Sequence, residues 1–187
     1  MPPRPGFFRL LCMLFLAVVL IPGCRSYGPV YLSGAAEFSL LSPEHIEKNI
    51  DMFQRISGVY QERSFELSAW VRADGTGIMM ELLNDMGSSL GELVFTDREL
   101  RFTSSYFPGK LPAEYAVADF QLCFYRVPAL RGALGGLWLE TETGGSLERR
   151  LVYEGDALII EIEKGPGSLR YTNYRRAYSY TILGNFL

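Results

Sequence analysis

The sequence has few of the residues that build metal centres, disulfides and catalytic triads. It contains one histidine and three cysteines, too few for the usual zinc ligand sets, so we expect no metal site and no cofactor. Acidic residues outnumber basic ones, and the net charge of −3, together with the absence of a basic run, argues against binding to nucleic acid. No apolar run reaches the roughly 20 residues that a membrane-spanning helix needs.

The first residues have the layout of an export signal. Arg4 and Arg9 precede an apolar stretch of about a dozen residues, which ends in small residues and a cysteine, Cys24. The segment 21–24 (IPGC) resembles the lipobox of bacterial lipoproteins, in which the cysteine thiol carries a diacylglyceryl group and the signal is cut just before it. We therefore expect residues 1–23 to be a removed signal peptide and Cys24 to be lipidated; the alternative is an ordinary secretory signal with a chance cysteine.

Lipidation of Cys24 would anchor the chain durably, because each buried lipid CH₂ contributes about 0.8 kcal/mol and more than one chain is attached. Arg25 and Ser26 lack the Asp that holds enterobacterial lipoproteins at the inner membrane, so we expect the periplasmic face of the outer membrane. Residues 24–41 are short of charge and contain Gly-Pro and Ser-Gly pairs, which predicts a lipidated tether. Residues 42–187 are predicted to form a single domain.

The spacing of apolar residues predicts a helix followed by a series of strands. Ser42 and Pro43 are typical of a helix N-cap and first helical position, and Ile46, Ile50 and Phe53 follow at helical spacing. Further along, the apolar period changes to two, and turn residues separate the segments. Strands are predicted at 65–71, 78–83, 90–95, 99–103, 137–141, 147–153, 158–163, 169–173 and 178–183.

Helical spacing returns in the middle of this series. The segment 112–126 predicts a helix, and Pro128 ends it or begins a second short helix that runs through Leu134. The predicted fold class is therefore mostly β with helices (α+β): a strongly curved antiparallel sheet or half-open barrel of about nine or more strands, covering short helices. Several strands are apolar on both faces, which fits equally a sheet around an apolar hollow and ordinary two-layer core packing.

Three residues are candidates for chemistry. Ser89 lies in a G-x-S-x-G segment, but a serine hydrolase needs a later histidine, whereas His45 precedes it; we expect a strand entry there and no enzyme. Asp119 lies among apolar residues and either faces solvent or is paired, with Arg126 or the segment 149–150, in a structural ion pair. Cys123 has no partner for a disulfide and is expected to be a small buried hydrophobe.

Three segments of the chain resemble one uncharacterised bacterial lipoprotein family, DUF3261. They are "AEYAVADFQLCFYRVPALRGAL", "ERRLVYEGDALIIEI" and "LRYTNYRRAYSYTIL", and they match its Asp-Phe-Gln-Leu core, its later Arg and its terminal spacing from Asn173 to Tyr178. The resemblance runs from about Met52 to Leu183. More distantly, "LLNDMGSSLGEL" and "VPALRGALGGL" are similar to the outer-membrane lipoprotein receptor LolB, although the Pro of its strand entry is missing here.

The resemblance to the LolA/LolB carrier and receptor fold implies a curved sheet over helices whose apolar cavity holds acyl chains. It also implies a lipid-like ligand and partners among envelope transport or biosynthesis proteins. We therefore expect a lipid-anchored envelope protein that binds or transfers an apolar ligand: a lipid, an acyl or polyene chain, or the acyl groups of lipoproteins. The alternative is a structural or interaction module of an outer-membrane complex, with a filled core and no ligand.

Within the first hypothesis, large apolar residues of the strands and the central helix are expected to line the cavity. Alternation alone does not decide which strand face is concave, because a shift of one residue exchanges the two faces. The candidate lining residues are Trp70, Met80, Leu82, Phe95, Phe102, Phe120, Phe124 and Trp138.

Overall fold

Alternating apolar and polar side chains produce ten strands that pair into one antiparallel sheet. The computed structural model describes residues 29–34, 36–60, 62–104 and 113–184. Within these residues the sheet has the order β7-β6-β5-β4-β3-β13-β12-β11-β10-β9, and β7 and β9 are its two edges, so the sheet is open. Its strands are β3 (Ile50–Tyr60), β4 (Arg63–Asp74), β5 (Gly77–Leu83), β6 (Ser89–Phe95), β7 (Leu100–Thr103), β9 (Trp138–Gly144), β10 (Leu147–Glu154), β11 (Ala157–Lys164), β12 (Ser168–Asn173) and β13 (Tyr178–Leu183).

The sheet consists of two meanders that join in its middle. β3 to β7 follow one another by hairpins, as do β9 to β13, and β13 pairs with β3 so that Ile56 lies opposite Ile182. We call β3–β7 the N-terminal half of the sheet and β9–β13 the C-terminal half. The predicted fold class, an open curved antiparallel sheet with helices, is confirmed.

Two helices connect the halves and pack on one face of the sheet, which we call the inner face. They are α1 (Ala113–Phe124) and α2 (Val127–Ala133), and both confirm the predicted helical segments. Most of α1 is buried, and Pro128 lies in the first turn of α2, where its missing N–H has no intrahelical partner to lose. In the described part of the chain, neither these nor any other helix has the length and apolarity to cross a bilayer.

The predicted tether does not extend to residue 41. β1 (Val30–Tyr31) pairs with β2 (Glu37–Phe38), which pairs with β8 (Leu134–Gly135) after α2. Apolar residues alternate in this segment, and Val30, Leu32 and Phe38 are buried in the core. The boundary at residue 42 is therefore wrong: low charge does not distinguish a tether from short strands whose alternate residues are buried.

The helix predicted from Ser42 to Phe53 was also wrong. Only Pro43–His45 is helical, as a short 3-10 turn, and β3 begins at Ile50. The residues fit both periods, because Ile46, Ile50 and Phe53 have helical spacing while inward positions of β3 alternate from Ile50 onward. Pairing with β4 along the whole strand, and with β13 near its end, favours the strand.

Candidate functional site

The N-terminal half of the sheet carries apolar side chains on its inner face that the helices cover only in part. Their strands present one residue in two to this face, and register places Met52, Val71 and Met80 side by side. Fully buried positions such as Val71 alternate along the surface with half-buried ones. We use the name open inner face for six of the half-buried side chains: Met52, Ile56, Leu67, Met80, Leu82 and Phe102.

Charge is confined to the margin of the inner face of this half, where Arg63 begins β4 at an inward position and is exposed. The inward positions within 50–58, 65–73, 78–82, 91–95 and 100–102 are apolar or glycine, apart from one buried glutamine, Gln54. Such a surface offers burial without fixed ion pairs. It can therefore bind an apolar molecule through the area removed from water, but it has little to orient a polar substrate.

The structure divides the eight predicted lining residues into three groups. Met80, Leu82 and Phe102 belong to the open inner face. Phe95, Phe120 and Phe124 also face inward but are buried in the core, where the rings of Phe120 and Phe124 pack with centroids 4.8 Å apart.

The third group is the two tryptophans, which lie on the outer face of the sheet. Trp70 is 45% exposed and Trp138 is 61% exposed. Their indole N–H groups donate to Asp51 and Glu140 respectively. They lie outward because they alternate with buried inward neighbours, so the structure does not bring them together with the other six.

A buried carboxyl group lies where α1 meets the C-terminal half of the sheet. Asp119 accepts hydrogen bonds from the hydroxyl of Tyr171, at 2.6 Å, and from that of Tyr178, at 2.8 and 2.9 Å to its two oxygens. Tyr171 and Tyr180 face each other on β12 and β13, and their rings are stacked with centroids 4.9 Å apart. The three tyrosines form a platform on which α1 rests.

Burial controls the protonation of these groups. Desolvation raises the pKa of the Asp119 carboxyl to about 7, although the hydroxyl groups of Tyr171 and Tyr178 and the charge of Arg176 act to lower it. Burial also raises the pKa of the neighbouring Cys123 thiol to about 12. Cys123 is therefore protonated and unreactive at neutral pH, which agrees with its predicted place as a small buried residue.

The predicted partners of Asp119 are wrong. Arg149 points to the outer face, where it forms ion pairs with Glu142 and Glu161, and Arg126 is exposed. The true partners are hydroxyl groups, not cations. Tyrosines spaced one in two along the final strand were the only signal in the sequence, and that spacing also fits an ordinary strand.

A second buried polar cluster holds the end of α1. Arg150 donates to the backbone carbonyls of Leu122 and Tyr125, at 3.0 and 2.8 Å, and forms ion pairs with Glu47 and Glu148. The last carbonyls of a helix have no intrahelical donors and carry partial negative charge, so a buried guanidinium satisfies both needs. The role of Arg150 is to fix α1 to β10, and sequence reasoning missed it.

The other candidates for chemistry lie in ordinary structural positions. Ser89 is the exposed first residue of β6, as predicted, so it leads directly into a strand instead of a helix. Among the residues that the structure describes, no group of three or more His, Cys, Asp or Glu could hold a metal ion. Cys24 and the predicted signal peptide at 1–23 lie outside the described residues.

The fold and its inner face define a class: an open, curved antiparallel sheet that covers two helices. Within that class, residues 51–183 match the family model described as "Protein of unknown function (DUF3261)". The match covers more than half of the chain, and the protein belongs to this family. A comparison with curated proteins finds no match.

The segments that carried the resemblance contribute to the two buried polar clusters and to a third contact. Asp119 meets Tyr178, and Arg150 holds the carbonyl end of α1. The side chain of Gln121 both accepts from and donates to the backbone of Leu41, at 2.9 and 2.8 Å. These motif residues therefore fix α1 between the sheet and the segment before β3.

Proposed function

We propose that the protein is a lipid-anchored envelope protein that binds an apolar chain, such as an acyl or polyene lipid or the acyl groups of a lipoprotein, along its open inner face. The open inner face carries the proposal, because six apolar side chains on neighbouring strands face the helices and yet stay half-buried. Apolar patches left exposed on folded proteins usually bind a ligand or partner. Each CH₂ buried there contributes about 0.8 kcal/mol.

The composition of the open inner face favours a flexible chain over a rigid polar ligand. Met52 and Met80 supply side chains that adapt to irregular shapes, and the inward positions within 65–73 and 78–82 carry no charge. Gln54 offers one polar contact, since its side chain is buried and its amide nitrogen has no acceptor among the described residues. An ester or carboxyl oxygen at the head of an acyl chain would satisfy that donor.

The proposed lipid anchor at Cys24 supports the same function. An acylated Cys24 would hold the domain at the outer membrane, which would supply or receive the ligand. The likeness to the LolA/LolB fold belongs to this proposal too, since the apolar hollow of that fold holds acyl chains.

The second candidate, a structural or interaction module, draws support from the opposite face of the sheet. Phe53 and Trp70 lie side by side across β3 and β4, and both are about half exposed, with Met79 nearby on β5. An apolar surface of this kind suits contact with another protein of the envelope.

A photo-crosslinking experiment separates the two candidates. The full chain, with its own N-terminus, is expressed in a Gram-negative host with benzoylphenylalanine in place of Phe102 on the inner face or, as the matched aromatic control, in place of Phe53 on the outer face. After irradiation in cells, intact-mass analysis identifies what is attached. Lipid-sized adducts at position 102 and none at position 53 are the expected result.

Two outcomes would count against ligand binding. One is the absence of lipid adducts at position 102 and also at position 82, tested as a second inner-face site. The other is a protein adduct at position 53 with nothing attached on the inner face, which would favour the interaction module. Cys24→Ser tests the anchor separately: the variant should lose its acyl mass and leave the membrane fraction.

A further inference from the structure

An open pocket of about 570 Å³ lies where the N-terminal segment crosses the turn between β12 and β13. Its lining includes two consecutive arginines of that turn, Arg175 and Arg176, and residues of the segment 31–34. Glu154, at the end of β10, is the only acidic residue of the lining. The pocket therefore carries an excess of one positive charge.

Arg176 is held in place by groups that do not neutralise it. Its Nη2 donates to the backbone carbonyl of Tyr31 at 2.7 Å, and its guanidinium lies over the ring of Tyr115, 3.7 Å from the centroid. No carboxylate lies within ion-pair distance of it among the residues that the structure describes. Its charge also acts on the buried Asp119 and lowers the pKa of that carboxyl. A stacked guanidinium of this kind is preorganised, with N–H donors left for an anion.

Arg175 is held in place by the carboxylate of Glu154, which also accepts a hydrogen bond from Ser33. Its Nη2 forms an ion pair with one oxygen of Glu154 at 3.2 Å, while the other oxygen accepts from the hydroxyl of Ser33 at 2.6 Å. The Arg175 side chain is more than half exposed, so it keeps donors for a ligand. Two arginines that line one pocket match the several oxygens of a phosphate better than a single one would.

We propose that this pocket binds a phosphate-type anion between Arg175 and Arg176. Two sources carry this chemistry, a phospholipid headgroup and soluble phosphate. The position of the pocket favours the headgroup, because Tyr31 follows Cys24 by seven residues and an extended chain of that length spans at most about 25 Å. The choice of source rests on the proposed anchor at Cys24, whereas the anion site itself does not.

The test is titration calorimetry on the full chain, produced with its own N-terminus and purified in a non-ionic detergent. The ligands are inorganic phosphate, dihexanoyl phosphatidylglycerol below its micelle concentration, and dihexanoyl phosphatidylcholine as a zwitterionic lipid of equal chain length. We expect saturable binding of both anionic ligands, with the phosphatidylglycerol tighter. Binding of phosphate at least as tight as that of phosphatidylglycerol would overturn the headgroup as the source.

Variants connect the binding to the pocket. Arg175→Gln and Arg176→Gln each remove a charge-assisted donor and should weaken binding about tenfold or more, while Glu154→Gln should tighten it several-fold. Arg170→Gln, an exposed arginine on β12, is the matched control and should leave affinity unchanged. Because Arg176 also holds Tyr31, the comparison of Arg175→Gln with Arg170→Gln decides the matter if Arg176→Gln folds poorly.

Two results would overturn the anion site: no saturable binding of either anion at millimolar concentration, or equal affinities for Arg175→Gln and Arg170→Gln. Neither result affects the crosslinking at position 102, which needs no arginine. Conversely, the absence of lipid adducts on the inner face would not change the affinity expected for phosphate. The two proposals therefore fail independently.

Discussion

The two halves of the ten-stranded sheet have the same architecture, but their inner faces differ in burial and in charge. In the C-terminal half, the inward side chains of β11 and β12 are buried, and so are the charged groups Arg150 and Lys164. In the N-terminal half, no described charged side chain is buried, while inward side chains such as Met80 and Leu82 stay half-buried.

In the C-terminal half, buried polar contacts fix α1 to the sheet, whereas in the N-terminal half the inner face is partly open. Asp119, Gln121 and Arg150 bind α1 to its surroundings from three directions, and satisfied buried polar networks of this kind rigidify and specify a core. The open inner face has only the hydrophobic effect to hold it, and that driving force is incomplete while water reaches its side chains. Stability is therefore concentrated in one half, and the proposed binding surface lies in the other.

The largest effect on stability should come from Arg150→Ala, which removes the buried guanidinium that fixes α1 to the C-terminal half. This change leaves two carbonyls at the end of α1 without their donor and removes one of the two cations that pair with Glu148, so we expect a loss of about 3–5 kcal/mol in the free energy of unfolding. Urea denaturation measures it. The control is Arg149→Ala, whose side chain is 34% exposed on the outer face against 1% for Arg150, and which should cost no more than about 1 kcal/mol. Equal losses for the two would contradict the assigned role of Arg150.

The pH dependence of stability tests the Asp119 cluster. Since burial raises the pKa of Asp119 to about 7, against about 3.9 in the unfolded chain, the folded state holds this proton more tightly. Its contribution is therefore complete below about pH 4 and is lost as the pH rises to about 7. Relative to wild type, Asp119→Asn should gain about 2–4 kcal/mol between pH 4 and pH 8. A constant difference across that range, measured by denaturation at each pH, would refute the raised pKa.

Truncation of one aliphatic side chain in each half compares how much buried packing contributes to stability in the two halves. Ile162 on β11 is fully buried, whereas Leu82 on β5 is half-buried. We expect Ile162→Ala to cost about 2–5 kcal/mol and Leu82→Ala about 1–2 kcal/mol, because a half-exposed side chain buries less area and leaves a smaller cavity. Thermal or urea unfolding of both variants is the measurement, and the reverse order would mean that the inner face is not open.

The smallest effect is expected at Trp70. Trp70→Ala removes a cross-strand contact with Phe53 on the outer face, worth about 1 kcal/mol or less. Since Trp70 lies opposite the open inner face, the variant should also bind a fluorescent fatty acid as wild type does. Loss of fatty-acid binding would move the ligand to the outer face and reverse the proposed site.

Secondary structure was predicted well where the spacing of apolar residues fits only one type of element. The strands from Phe65 onward and the helix that became α1 are present, because strict alternation fits only strands and the α1 segment fits only a helix. The first helix and the tether were predicted wrongly, since the residues from Ser42 to Phe53 satisfy both periods and low charge does not distinguish a tether from buried strands.

The orientation of the eight residues was predicted in part, for a geometric reason. Six of the eight residues face inward, but Trp70 and Trp138 do not, because alternation defines two faces without saying which is concave. The sequence alone marks Asp119 as unusual, because it is a charged residue among apolar ones. Its partner Tyr171 lies 52 residues further along the chain, and no local pattern identifies a partner at that distance.

By itself, the sequence determined the period of most segments and the family, since both depend on patterns of neighbouring residues. Only the tertiary structure decided which face of the sheet is inner, which half the helices cover fully, and which groups meet Asp119 and Arg150. Those outcomes depend on the order of strands in the sheet, above all on the pairing of β13 with β3. That pairing brings together residues far apart in the chain, and their meeting is a property of the packed sheet.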